Sequence, residues 1–281
     1  MYQVVIIGAG PVGGRLATEL ASRGISTLMV EEHAEIGRPF QCAGLVNPPA
    51  MQMVGLENTI LQNIDGALIH SPSGIMVPVG KDGRVRTHVV CRKKFDQAVV
   101  AQAMDAGAHL WLLSKPLQAD VTKEGVTLQI EREGEVVEVK TKLLVGADGA
   151  HSWTRRYFKM GRPKEMMIGF QSDVSGLTGK DNWLEMYTGR DIAPGLFAWV
   201  IPTGNNTHRI GIWGRPQDLE GRSVEQCYDN LISHPLWKKR FEGVREIARY
   251  CGPVPCGTLR KPFKNRVMLI GDAAGMAKPT T

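Results

Sequence analysis

The chain of 281 residues is 43% hydrophobic and 22% charged, and its formal charge is +6. That length favours two lobes over one small core, and no apolar run approaches the roughly 20 residues of a membrane span. The positive residues are scattered, with short clusters only at Arg92-Lys93-Lys94 and Lys238-Lys239-Arg240, so no basic stripe interleaved with aromatics marks a nucleic-acid site.

The five cysteines (Cys42, Cys91, Cys227, Cys251 and Cys256) are an odd number and follow no leader-like segment, which predicts reduced thiols in a cytoplasmic setting. Cys251 and Cys256 lack a metal-ligand spacing and an accompanying His cluster, so no metal is expected. Any membrane contact is expected to be peripheral, with anionic headgroups as plausible a partner for the basic clusters as phosphates.

Residues 3–7 form a short apolar run ending in glycine, as a buried parallel strand does. Residues 11–23 follow with helical spacing, carrying Val12, Leu16, Ala17 and Leu20 on one stripe, and Gly24 stops the helix. Ser26 to Val30 make a second buried strand. Residues 33–50 read as irregular, and 67–90 as short alternating pieces with turns at Pro72-Ser73-Gly74 and Lys81-Asp82-Gly83.

Arg92 to Ala106 reads as an amphipathic helix. Strands are predicted over 109–113, 117–121, 125–131 and 134–140, the last two joined by Glu133-Gly134. A further apolar run at Leu143 to Val145 leads into Gly146-Ala147-Asp148-Gly149. Residues 165–213 are strand-like, 223–236 helical, and 267–270 a buried strand. Strand–helix–strand material at both ends with antiparallel strands between predicts two interleaved lobes. The division expected is 1–160 with 260–281 for a dinucleotide lobe, and 161–259 for a sheet-rich substrate lobe.

Gly8-Ala9-Gly10-Pro11-Val12-Gly13 is a G-x-G-x-x-G sequence in a setting that strengthens it. It follows a predicted strand, opens a predicted helix, and precedes Glu31 at the end of the next strand. Gly8 permits the tight turn, Gly10 lets the backbone reach a pyrophosphate, and Gly13 allows helix and strand to pack closely. The first helical turn, including Val12, offers amides to the phosphates, and Glu31 would accept from the adenosine ribose hydroxyls. This motif leaves FAD and NAD both open.

Three later stretches resemble the flavoprotein superfamily of aromatic hydroxylases, flavin halogenases and geranylgeranyl reductases. Cys91-Arg92-Lys93-Lys94-Phe95-Asp96 resembles the segment whose Arg opens a helix near the flavin diphosphate, which implies that role for Arg92. Gly146 to Ser152 resembles the Asp-Gly motif beside the flavin and nicotinamide sites, implicating Asp148 and Gly149. Leu269 to Gly275 resembles the Gly-Asp motif that contacts ribityl or ribose hydroxyls, implicating Gly271 and Asp272. Taken singly, Arg92 reads equally as a surface charge, Asp148-Gly149 as a turn and Asp272 as a helix cap. Together, in this order, they imply FAD.

Within that superfamily the chain is most similar to the geranylgeranyl reductases, archaeal members included. Gly37-Arg38-Pro39-Phe40-Gln41-Cys42-Ala43-Gly44 resembles that family's Cys-Ala-Gly region beside the isoalloxazine, which places Cys42, Ala43 and Gly44 at the cofactor and makes Cys42 the candidate catalytic residue. A free Cys reads equally as a small buried hydrophobe. Lys278-Pro279-Thr280-Thr281 is also similar to those reductases. Pro194 to Pro202 resembles a cavity-lining motif written P-x-x-Y-x-W-x-F-P, with Phe197 and Ile201 replacing Tyr and Phe. Phe197, Trp199 and Pro202 are therefore the candidate substrate-cavity residues, although period-two aromatics also suit a half-buried strand.

The resemblance implies a Rossmann-type FAD-binding domain of the glutathione-reductase/aromatic-hydroxylase type, interleaved with an antiparallel β-sheet substrate domain. It implies an FAD-dependent reductase saturating C=C bonds of geranylgeranyl chains in membrane lipids, with an unidentified electron donor. A flavin monooxygenase or halogenase is the alternative, since Phe197-x-Trp199-x-Ile201-Pro202 partly resembles the halogenase Trp-x-Trp-x-Ile-Pro run. A non-catalytic fragment is another, because the resembled family continues past the Gly-Asp motif with a glycine-rich turn and helix. On that reading the chain is C-terminally truncated and would hold FAD weakly.

Overall fold

The computed structural model describes residues 1–39, 42–80 and 82–278. Phe40, Gln41, Lys81 and the terminal Pro279-Thr280-Thr281, which the sequence reading included in its motifs and turns, lie outside the described residues.

In chain order the elements begin β1 (Tyr2–Ile7), α1 (Pro11–Ala21), β2 (Thr27–Val30), β3 (Leu45–Val46), α2 (Pro48–Val54), β4 (Ile60–Ile64), β5 (Gly66–His70), β6 (Met76–Val79) and β7 (Thr87–Val90). Next come α3 (Arg92–Asp105), β8 (His109–Trp111), β9 (Ser114–Val121), β10 (Val126–Arg132), β11 (Glu135–Gly146) and α4 (Trp153–Tyr157). The chain continues through β12 (Glu165–Ser175), β13 (Trp183–Gly189), β14 (Ala193–Gly204), β15 (Thr207–Gly214), α5 (Val224–Ser233), β16 (Arg245–Cys256), β17 (Phe263–Lys264) and β18 (Val267–Leu269).

They form two compact units, 1–39 with 93–165 and 254–281, and 40–92 with 166–253. The expected division kept 40–92 with the dinucleotide lobe; the structure puts it in the second unit. The reason is strand pairing. β5 runs parallel to β13 from Gly66↔Trp183 to His70↔Tyr187, and β6 pairs with β5 in turn.

The first unit is built on the sheet order β17-β18-β11-β1-β2-β8, in which β18, β11, β1, β2 and β8 are parallel. One face packs Val4, Ile6, Met29 and Val145 against Ala17 of α1 and Val100 and Ala103 of α3. The other packs Val5, Ile7, Leu28 and Leu144 against the β9–β10–β11 meander through Ala119, Leu128 and Ile130. Burial on both faces explains why β1 and β2 read as continuous apolar runs. β11 unites the predicted 134–140 strand with the Leu143–Val145 run, so one strand serves both meander and parallel sheet. Glu133 and Gly134 both take positive φ at the hairpin, the geometry a two-residue turn needs.

The second unit carries the seven-stranded sheet β16-β12-β15-β14-β13-β5-β6 and the small sheet β3-β7-β4. It is mainly antiparallel, as expected, with β5–β13 the parallel pair. On one face Phe170, Val174, Ala198, Val200, Ile210 and Ile212 meet Cys227, Tyr228 and Leu231 of α5. Helix α5 starts on a capping box, Ser223 with Gln226. The predicted irregular stretch 33–50 ends inside α2, which has its own punctuation: Asn47 accepts from Ala50 N–H, Pro48 and Pro49 open the helix, and Gly55 closes it in αL. Strand β16 escaped the sequence reading because charges and prolines suit an edge strand and mask its alternation.

The α5-side face also buries charge. Glu185 accepts from Tyr187 and Arg240, while His70 stacks on Tyr187 with ring centroids 4.4 Å apart. Burial pushes the Glu185 carboxyl up, but the hydrogen bonds from Arg240 and Tyr187 outweigh it and hold it below the ordinary range. Burial holds His70 and His208 below the usual histidine value. Between that value, roughly 6.5, and the lowered folded one, the unfolded chain binds more protons. These two groups therefore lose stability as pH falls below about 6.5. The difference in urea midpoint between wild type and His70→Gln is expected to shrink as pH is lowered from 7 to 5, and an unchanged difference would show that His70 does not titrate in this way.

Candidate functional site

The C-terminal ends of β18, β11, β1 and β2 lie side by side in that order. The residues that follow them are Gly271-Asp272, Asp148-Gly149, Gly8 through Gly13, and Glu31. Nine of the predicted cofactor residues are thereby brought to one sheet edge, the edge at which open parallel sheets bind ligands.

Each glycine of the first turn has a different duty. Gly8 has φ +97°, and a Cβ there would lie 2.5 Å from the Ala147 carbonyl oxygen. A Cβ on Gly13 would meet the Gly8 carbonyl oxygen at 2.2 Å, so Gly13 serves helix–strand packing. Gly10 differs: its φ of −75° suits any residue, and nothing lies within 4 Å of its would-be Cβ. The protein itself does not require glycine there, and the open space leaves room for a close ligand. Gly10 caps α1 without a side-chain bond and Pro11 follows, so the first-turn amides have no cap acceptor at this position.

Glu31 is fixed by its own loop, with Oε2 accepting from Ala9 N–H at 2.9 Å and Oε1 from His33 N–H at 3.1 Å. Val12 is exposed at the helix start, and its Cγ2 would lie 3.2 Å from a Cβ on Gly271, where the β18 turn meets α1. Asp272 is exposed in a single 3-10 turn, Gly271–Ala274.

Asp148 turns toward α4: one carboxylate oxygen accepts from Thr154 N–H and Oγ1 at 2.8 and 2.9 Å, and the other is buried without a hydrogen-bond partner among the described residues. Gly149 takes φ +68° in that turn. The sequence reading missed Arg155. Its buried guanidinium donates to the carbonyls of Ala150 (2.7 Å) and Ala273 (3.1 Å), tying the Asp148 and Gly271 turns together. Burial lowers its pKa, against the pull of Asp148. The only signal was an Arg soon after an Asp-Gly turn.

Cys42, Ala43 and Gly44 lie in the second unit, ahead of β3, and Arg92 opens α3 half-buried. Cys42 is exposed, and its sulfur accepts from Gly44 N–H at 3.4 Å. A second missed residue, Arg209 of β15, is buried and donates to the carbonyls of Ala43 (2.7 Å) and Val90 (3.1 Å), with its Nε 3.6 Å from Asp173. Burial pushes the Asp173 carboxyl up, opposed by Arg209.

Phe197 and Trp199 stand on the β14 face opposite α5, and Trp213 of β15 joins them, with centroids 5.7 to 6.4 Å apart. Trp199 lies across β15 at Gly211, where a Cβ would come within 2.3 Å of its ring. The indole N–H groups of Trp199 and Trp213 are buried without an acceptor among the described residues. Pro202 is buried further along β14. Among the described residues no group of three or more His, Cys, Asp or Glu could hold a metal.

The family described as FAD binding domain matches residues 1–281. A digeranylgeranylglycerophospholipid reductase of Methanocaldococcus jannaschii is 30% identical over 289 aligned positions, which take in all of this chain and 72% of the relative. The chain belongs to the geranylgeranyl reductase family of FAD-dependent oxidoreductases. A second member, from Methanosarcina acetivorans and of the same name, is 30% identical over all of this chain and 70% of its own length. Among solved structures, a geranylgeranyl bacteriochlorophyll reductase-like protein of Thermoplasma acidophilum superposes with a TM-score of 0.89 at 26% identity, covering 99% of this chain and 72% of that one. The flavin-dependent brominase Bmp2 shares the fold at a TM-score of 0.78 and 19% identity, over 97% of this chain and 72% of that one.

The open space over Gly10 and the uncapped first turn fit the FAD of this reductase family. Gly10→Ala is expected to leave stability within about 0.5 kcal/mol of wild type, yet to weaken FAD at least tenfold, about 1.4 kcal/mol. Gly13→Ala is expected to cost about 1–3 kcal/mol of stability. Urea unfolding and flavin-fluorescence titration separate the two, and equal FAD affinity in Gly10→Ala would remove Gly10 from the site.

Proposed function

We propose that this chain reduces C=C bonds in the geranylgeranyl chains of membrane lipids. The aromatic floor of Phe197, Trp199 and Trp213, with the Trp199 indole lying across Gly211, carries this reading. An extended apolar chain laid on such a floor gains about 0.8 kcal/mol per buried CH₂. The names of the M. jannaschii and M. acetivorans relatives support the same substrate class.

FAD, when bound, supplies hydride from its reduced ring to one alkene carbon, and a proton completes the other. Gly10, the first-turn amides of α1 and Glu31 are the residues that would hold its ADP half, with Gly271 and Asp272 alongside. Arg155 fixes the Asp148 and Gly271 turns on which those contacts stand. In the second unit the floor residues bind and orient the chain and keep water from it. Arg209 clamps the Ala43 and Val90 carbonyls, which sets the backbone around Cys42 to Gly44.

Anaerobic incubation of the dithionite-reduced protein with an unsaturated prenyl lipid is expected to add two hydrogens per double bond, read by mass spectrometry. Trp199→Ala is expected to lower kcat/KM tenfold or more, about 1.4 kcal/mol of transition-state stabilisation. Absence of any mass gain with a flavin-loaded sample, or substrate-stimulated oxygen uptake in its place, would sink the reductase reading.

A further inference from the structure

The face that carries Trp199 does not end at β14. Register places Trp199 beside Met186 of β13, Met186 beside Ile69 of β5, and Ile69 beside Val77 of β6. In the adjacent row Leu184, Ala67 and Val79 follow one another in the same way, next to Ile201. Residues on neighbouring strands in register share a face, so two apolar rows cross the sheet from the aromatic floor to the edge strand.

Over the second row lies a cavity of about 290 Å³, close to the lower limit of small-molecule pockets. Ile64, Ala67, Val79 and Leu184 line it, with Arg86 and Thr87 alongside. At the edge itself the apolar side chains are not covered. Ile75, Met76, Val77 and Val79 are exposed at 49% to 64%, and Leu236, also exposed, flanks the hairpin turn at Gly74.

Ile75, Val77 and Val79 fall on the floor side and Met76 on the other, so the hairpin edge exposes apolar side chains on both faces, as an interaction surface does. Pro78 sits in the middle of β6 and has no N–H to offer, which disfavours another strand as the partner. The charged groups nearby are chiefly basic: Arg84 and Arg86 follow β6, sharing Asp82, and Lys238 and Lys239 follow Leu236. Apolar side chains ringed by cations are what an anionic lipid surface binds.

We infer that the β5–β6 hairpin is the edge by which the second unit rests on an anionic lipid surface, and that the cavity beneath it receives an apolar chain drawn from that surface. The identity of the chain as prenyl rests on the function proposed above. The hairpin contributes the contact with lipid, Arg86 marks the polar rim, and the row from Val77 through Ile69 and Met186 leads toward Trp199.

Flotation with vesicles of phosphatidylglycerol tests the docking. The wild-type chain is expected to float with them and to bind phosphatidylcholine vesicles more weakly. The double variant Ile75→Glu, Val77→Glu changes only exposed side chains, so it is expected to keep its Tm and lose vesicle binding at least tenfold. Wild type that stays with the soluble fraction, or a double variant that floats as well, overturns the proposal. So does a dimer in analytical ultracentrifugation that the double variant dissolves, since a second copy would then cover the edge. For the cavity, Val79→Trp is expected to cut uptake of the fluorescent chain cis-parinaric acid at least tenfold, and unchanged uptake overturns that part. Vesicle binding requires no turnover. A chain that binds vesicles but reduces nothing would therefore refute the reductase reading alone.

Discussion

A parallel pair of strands needs a crossover, and every right-handed crossover brings the chain back to the same end of the sheet. In the first unit this happens for β1, β2, β11 and β18, so the turns that leave those strands are gathered at one edge whatever lies between them in sequence. The candidate cofactor site depends on that constraint. Polar and glycine residues are tolerated there because the buried part of each strand has already ended. The helix α1 then points its amide end at the same place. No single turn is long enough to enclose a dinucleotide; four turns side by side are.

The second unit uses a different device. A sheet with one face packed on α5 has only its other face to offer, and the alternation along β14 and β15 decides which side chains appear there. Gly211 matters because it is missing a side chain at the point where Trp199 must lie down. An aromatic ring over a glycine covers backbone, and its neighbours Phe197 and Trp213 meet it edge to face.

Much of this was readable from local sequence. Gly8 to Gly13 and Glu31 declare themselves because the spacing is set by one strand, one turn and one helix. The Asp-Gly and Gly-Asp turns stood out only through their resemblance to the flavoprotein motifs, since each alone reads as a turn or a helix cap. Asn47-Pro48-Pro49 and Gly55 punctuate α2, but the glycine- and proline-rich surroundings hid it and 33–50 read as irregular. The roles of Arg155 and Arg209 were not legible. Arg155 serves the Ala273 carbonyl 118 residues away and Arg209 serves the Ala43 carbonyl 166 residues away. A buried Arg whose partners are backbone carbonyls leaves no pattern, since every residue has a carbonyl. The placement of 40–92 in the second unit was hidden likewise, because β5 finds its parallel partner across more than a hundred residues.

The Arg155–Ala273 bond also joins two turns that lie far apart along the chain. Strands β1, β2, β8 and β11 come from the first half of the chain, while β18 joins them only after the intervening second-unit strands have been made. β11 thus pairs with β1 and with β18 across more than a hundred residues each, the kind of pairing that forms slowly. A ligand gripped by both the Gly10 and the Gly271 turns fastens the earliest strand to the latest. Flavin bound there would act as a clasp on the fold as well as a reagent, because whatever binds only the folded state stabilises it.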